Sequence, residues 1–268
     1  MPHVPPGIGV IGGMGPAAGL DLVDKITAQT RAHCDHEHLP VALLSYPRRI
    51  VDRSTFLFGE TDVNPGYAIA EIARQLEQVG AVVAGMPCNT AHAPAIFDTI
   101  VNDLADTGHQ IRLLNMIDET VRFMKAHTPY VQCVGTLSTL AVYDLKLHRA
   151  PLEAAGFHVV GPDDDVKREK VNRTIFDTTF GLKAQAHPVT PTARRNLLDA
   201  IRHLREKGAD AVVLGCTELP LAPLVDGADG IEDLLLIDPA DILARALIRE
   251  IDPDALRPLA DHYAAFVS

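Results

Sequence analysis

The sequence predicts an α/β protein built from two homologous Rossmann-like halves, each a parallel sheet flanked by helices. Three observations carry that expectation. Short apolar runs alternate with longer helical patterns, which is how βα units read in sequence. The chain repeats itself at a nearly constant spacing. In each repeat an apolar strand runs directly into a cysteine.

Strands are expected at 8–11, 41–46, 81–85, 111–115, 131–135, 158–160, 211–214 and 234–237. A helix over 17–31 follows Pro16, whose locked φ suits a first helical turn. Ile69, Ile72, Ala73, Leu76 and Val79 share one face of a helix over 68–78, which stops before Gly80. A helix over 192–207 ends at Gly208, a residue suited to the left-handed C-terminal cap.

The segment from Gly80 to Thr90 (GAVVAGMPCNT) aligns with that from Gly208 to Glu218 (GADAVVLGCTE) at a shift of 128, residue 88 falling on 216. Val10-Ile11-Gly12-Gly13 resembles Cys133-Val134-Gly135-Thr136 at a shift of 123, residue 12 falling on 135. The expected first half is therefore 1–110, completed by the C-terminal segment 220–268, and the second is 111–219. A pseudo-twofold axis would relate them, with the active site in the cleft between.

A chain of 268 residues, 47% of them hydrophobic, can bury a substantial core. A net charge of −11 argues against nucleic acid and anionic membranes, which call for clustered Lys and Arg. No apolar run approaches the roughly 20 residues of a membrane span. The first residues show no basic stretch followed by an apolar one, so a cytoplasmic protein is expected. Four cysteines without a Cys-x-x-Cys spacing, in such a compartment, are expected as free thiols.

Cys88 and Cys216 stand apart because they occupy matched positions. Ligands in open α/β sheets bind beyond the carboxyl ends of the strands. Thiols facing one cleft from opposite sides suit proton removal from one face of a carbon and return to the other. A thiol whose pKa is brought near neutrality is a competent general base. Asn89, Thr90 and Thr217 add hydrogen-bonding groups beside them. A single cysteine at a strand end is more often simply core; the matched pair is what favours chemistry. Cys133 reads as core and Cys34 as part of a polar loop.

These residues resemble the aspartate/glutamate racemase family. The resemblance rests on Gly12-Gly13-Met14-Gly15-Pro16, Asp52-Arg53-Ser54-Thr55, Pro87-Cys88-Asn89-Thr90-Ala91-His92 and Leu214-Gly215-Cys216-Thr217-Glu218, and it spans nearly the whole chain. It implies a racemase that uses two cysteines as opposed acid and base, without pyridoxal phosphate, other cofactor or metal, and a homodimer. It implies that Asn89, Thr90 and Thr217 hold the α-carboxylate and amine and that Met14 lines the cleft. Arg53 would bind a side-chain carboxylate, supported by Asp52. Glutamate racemases carry His after the second Cys-Thr; Glu218 here favours the aspartate-racemase-like or a broad-substrate branch. Such enzymes also bind substrate with a Lys after an Ile-aromatic-acid run. Counting from Ile175-Phe176-Asp177 puts Phe180, not Lys183, at that position, a departure from the family's pattern for binding a distal carboxylate; Lys183 could still reach the site.

Two other readings remain at this point. The same two-thiol fold could serve another isomerisation or a decarboxylation beside a carboxylate. The halves could also form a non-catalytic amino-acid-binding module.

Weaker signals resolve more simply. Gly7-x-Gly9-x-x-Gly12 puts its first glycines before or within a strand rather than after it, the wrong context for a dinucleotide loop. His33-Cys34-Asp35-His36-Glu37-His38 lacks the spacing of a zinc site and reads as a solvated loop. Asp163-Asp164-Asp165 reads as a loop feeding a helix start, and 167–170 as a solvated helix face. His92, one turn from Cys88, could tune the thiol or serve the core. Tyr143 could line the second half's cleft or pack.

Overall fold

The computed structural model describes residues 6–224, 231 and 234–259. Among these residues eight strands are present: β1 (Gly7–Gly12), β2 (Val41–Ser45), β3 (Ala81–Gly85), β4 (Arg112–Leu113), β5 (Cys133–Ser138), β6 (His158–Val160), β7 (Ala211–Gly215) and β8 (Leu235–Ile237). Ten α-helices lie among them: α1 (Pro16–Gln29), α2 (Arg53–Leu57), α3 (Pro65–Gln78), α4 (Pro94–Asp106), α5 (Met116–His127), α6 (Leu140–Asp144), α7 (Arg149–Ala154), α8 (Arg173–Phe176), α9 (Pro191–Glu206) and α10 (Pro239–Ile251). None of the described helices is long and apolar enough to cross a membrane.

The strands form two four-stranded parallel sheets, ordered β2-β1-β3-β4 and β6-β5-β7-β8. The two orders are the same once the second is read as a repeat of the first. The register sharpens this. Val10 pairs with Gly85 in one sheet and Thr136 with Val213 in the other. Taking 85 with 213 at the shift of 128, the pairing sets 10 against 136, a shift of 126, where the glycine match gives 123. The earlier match compared glycines, whereas backbone pairing aligns strands. For the same reason β5 runs on to Ser138, since Leu137 and Ser138 still pair with Leu214 and Gly215.

Local chemistry starts and stops the helices. Asn64 accepts the Gly66 amide at 2.8 Å to cap α3, and Thr190 Oγ1 accepts the Ala193 amide at 3.2 Å to cap α9. Proline occupies the first turn of both, where its missing N–H is no loss. Gly80 and Gly208 follow the two helices with φ of +100° and +85°, the left-handed conformation that favours glycine.

The chain divides into two compact units: one runs to Glu119 and resumes at Ala240–Pro258, the other is Thr120–Pro239. This corrects the expected boundaries twice. The strand expected at 111–115 belongs to the first sheet, because Arg112 and Leu113 pair with β3 and the Leu114 amide donates to Ala84 O at 3.0 Å. Residues 234–239 belong to the second unit, because β8 pairs with β7. The chain returns to the first unit with α10 and the segment to Pro258; Leu243, Leu247 and Ile248 pack against Ile8, Val10 and Val83, and the Arg31 amide donates to Ala255 O at 2.6 Å. Most of the expected segment beyond 259 lies outside the described residues, as do 225–230 and 232–233.

Candidate active site

In the first unit, β1 ends in a turn at Gly13, whose φ of +97° a side chain would strain and where a Cβ would come within 2.9 Å of the Pro47 backbone. The turn delivers Met14 into the core cluster that also holds Ile11 and Cys88. After β2, Asp52 Oδ1 accepts the Ser54 and Thr55 amides at 2.9 and 3.0 Å and so caps α2. The cap orients Arg53, which is buried and donates from Nη2 to Met14 O at 3.5 Å. Asp52 lies 3.9 Å from that guanidinium. The sequence reading gave Asp52 an electrostatic role; the capping role is additional.

Cys88 follows β3 by three residues and is buried. It begins a 3-10 turn, Asn89–His92, against which α2 packs. The Asn89 side chain is buried beside it, with neither amide atom hydrogen-bonded among the described residues. Leaving such groups unmet costs about 1–3 kcal/mol each, so a buried bare amide next to a thiol marks a place for a ligand. His92 is not turned toward chemistry. Its Nδ1 donates to Cys88 O at 2.9 Å, which props the turn, and burial pushes its pKa down to about 4 against the pull of that carbonyl.

The His92 shift has a pH consequence. The folded value, about 4, lies below the ordinary 6.5, so the unfolded chain takes the proton first. The stabilisation is complete above 6.5 and is lost as pH falls toward 4. Urea denaturation is expected to show about 3 kcal/mol lost between pH 7 and pH 4, with a flatter slope in His92→Gln. An equal slope in that variant would assign the loss elsewhere.

In the second unit, β7 is buried throughout and runs directly into Cys216, also buried. Cys88 lies three residues past Gly85, the last paired residue of β3, and Cys216 one past Gly215, the last paired residue of β7. The Cys216 thiol donates to Glu218 Oε2 at 3.0 Å. Lys183 Nζ donates to the other oxygen, Oε1, at 2.9 Å, with the Glu218 side chain only 3% exposed. Burial pushes the Cys216 pKa well up, and the Glu218 carboxylate pushes it further, while Lys183 pulls it down. A Lys–Glu–Cys array of this kind holds a protonated thiol beside a fixed proton acceptor. The Asp177 carboxylate accepts the Thr179 hydroxyl and amide, which pin the loop leading to Lys183 and hold its own pKa down to about 2.

The sequence signature described as Asp/Glu/Hydantoin racemase matches residues 11–247. The chain belongs to that family. It is a racemase, an isomerase by reaction class. Over 97% of its length and 99% of the other chain it is similar to the aspartate racemase of Picrophilus torridus, at 29% identity and a TM-score of 0.75. An aspartate racemase homologue from Pyrococcus horikoshii OT3 matches at 24% identity and a TM-score of 0.67, over 91% of this chain and 98% of that one. The glutamate racemase of Francisella tularensis, solved with D-glutamate, shares the fold at 16% identity and a TM-score of 0.60, over 96% and 85%.

Within its first unit the racemase brings Met14, Arg53, Cys88 and Asn89 to one region; Thr90 is buried on the same turn. Within the second, Thr217 is buried between Cys216 and Glu218. Glu218 and Lys183, read from sequence as substrate contacts, bond to each other, and Glu218 also accepts the Cys216 thiol. Their mutual pairing escaped sequence reading because 35 residues separate them; the acid two positions after the cysteine was the available hint. All four cysteines of the racemase are free, Cys34 exposed and Cys133 half-buried at the start of β5. All three glycines of the Gly7-x-Gly9-x-x-Gly12 pattern lie inside β1 and form no phosphate loop. Cys34, His36 and Glu37 bring one ligand atom each within 4.8 Å of one another, but all three are exposed.

Proposed function

We propose that this racemase interconverts the enantiomers of an unmodified amino acid, acidic ones first, by two-base proton transfer between Cys88 and Cys216. The observation that carries the proposal is the matched placement of the two thiols: each lies just past the carboxyl end of the third strand in sequence of its own sheet, Cys88 three residues beyond β3 and Cys216 directly after β7. A core cysteine has no reason to recur in this way, whereas inversion at carbon needs one proton carrier for each face.

In one direction the thiolate of one cysteine takes the Cα proton, and the electron pair moves into the α-carboxylate. The Asn89 amide is the donor best placed in sequence and burial to meet that carboxylate, since a preorganised donor stabilises developing oxyanion charge without reorganisation. The other thiol then delivers its proton to the opposite face. The first cysteine ends as thiol and the second as thiolate, so the pair must be reset before the same direction repeats. Cys216, held as a thiol by burial and by Glu218, starts as the donor. The reset moves one proton out and one in: Cys88 gives its proton to solvent, and a solvent proton reaches the Cys216 thiolate by way of the Glu218 carboxylate, which ends ionised again beside the Lys183 ammonium. The buried Arg53 guanidinium, beside Met14, supports a preference for a second, side-chain carboxylate.

A panel of L- and D-amino acids incubated with the enzyme in deuterated water, with no cofactor added, tests this. NMR is expected to show loss of the Cα proton and appearance of the mirror image, fastest for aspartate or glutamate. Binding without any exchange across the panel would overturn the proposal.

A further inference from the structure

A pocket of about 80 Å³ lies in the second unit at the carboxyl edge of β5 and β6. Lys146, Arg149 and Lys167 line it, with Ser138, Tyr143 and His148, and no acidic side chain does. On a chain of net charge −11, three cations around one small pocket do not follow from composition. The nearest acids answer only part of that charge. Glu153 accepts Arg149 Nη1 at 3.1 Å and Asp164 accepts Lys167 Nζ at 2.9 Å, both carboxylates lying toward solvent. Exposed pairs of this sort are weak. Lys146 has no acidic partner among the described residues.

Lys146 adds a second, independent sign. It closes α6 with φ +53°, and the next amide, of Leu147, donates back to Val142 O at 3.0 Å. Glycine is the unstrained residue for that cap, yet a long cation stands there. The polar wall is rigid. The Tyr143 hydroxyl accepts the Ser138 amide at 2.8 Å and donates to Thr136 O at 3.0 Å. The pocket lies close to the Cys216 array, since Ser138 Oγ donates to Gly215 O and the Cys216 charge acts on Tyr143, but it opens on the other face of β5. On β5, Thr136 and Ser138 point to the face opposite Leu137, and Leu137 packs in the cluster that holds α9 and Cys216. On the far wall, Arg149 Nη2 and Lys167 Cε both approach Gly161, 4.0 Å from where a Cβ would stand.

We propose that this pocket binds a small dianionic oxyanion of the phosphate class, either inorganic phosphate or the phosphoryl end of a phosphomonoester. A single carboxylate would leave most of the three cations uncompensated, whereas a compact dianion meets lysine point charges and one guanidinium fork together.

Isothermal titration at low ionic strength with inorganic phosphate, ribose 5-phosphate and acetate tests the proposal on the whole protein. Saturable phosphate binding is expected, weakened at least about tenfold in both Lys146→Gly and Lys167→Ala. Lys146→Gly separates binding from folding: it relieves the left-handed strain, so its melting temperature is expected to hold or rise while affinity falls. Tighter binding of ribose 5-phosphate would identify a phosphomonoester, and equal binding the free ion. No saturable phosphate binding, equal affinity in both variants, or acetate binding as well as phosphate would overturn it. The readout involves no turnover, so it stands apart from the racemase mechanism.

Discussion

Cys88→Ala and Cys216→Ala are each expected to lower racemisation by about a thousandfold or more in both directions. Positioned proton transfer is worth about 10²–10⁴ per group, and inversion needs both groups in every turnover. The two variants are expected to differ in what survives. With one thiol left, the enantiomer whose Cα proton faces it can still exchange slowly with deuterated solvent, and its mirror image cannot. Cys88→Ala is therefore expected to wash out the Cα proton of one enantiomer of aspartate, and Cys216→Ala that of the other. Paired NMR time courses read both at once. Full turnover in both directions by Cys88→Ala would sink the two-base mechanism. A covalent thiol–substrate adduct in either variant would point instead to nucleophilic chemistry.

Glu218→Gln and Lys183→Met are expected to move the Cys216 thiol in opposite directions. The ionised Glu218 disfavours a second negative charge on the neighbouring sulfur, so it raises the thiol pKa, while Lys183 lowers it. Removing the carboxylate is expected to bring the midpoint of Cys216 alkylation down by about a unit or more; removing the ammonium is expected to raise it. Peptide mapping after a pulse of iodoacetamide at a series of pH values follows Cys216 by itself, despite the exposed Cys34. Mere loosening of the fold would bring both midpoints toward the ordinary thiol value near 8.5, so only opposed shifts support the array. Both variants are also expected to slow racemisation about a hundredfold, because the resetting proton loses its acceptor or that acceptor loses its counter-charge. Unchanged alkylation profiles would remove Glu218 from any role in proton transfer.

Much of the fold was legible in sequence because strand and helix periods, proline starts and glycine stops are local signals. All eight strands lie where the apolar runs predicted them, with shifts of a few residues at their ends. The matched cysteines were legible for another reason: a repeat records its own alignment, and at the shift of 128 each thiol falls just past the third strand of its sheet. The division of the chain was read less well. Whether 112–113 or 235–237 joins one sheet or the other depends on which backbone edge is available to pair, and an edge strand of two or three residues carries too little pattern to say.

By itself the sequence determined the alternation of elements, the duplication, and the pair of thiols at strand ends, since each is written in residues close along the chain. Only the tertiary structure decided that Glu218 and Lys183 join Cys216 in one buried array, that Asn89 is buried with a bare amide, and that Lys146, Arg149 and Lys167 surround one pocket. Electrostatics and hydrogen bonding act over a few ångströms through space, and the residues they couple there are set by packing rather than by order in the chain.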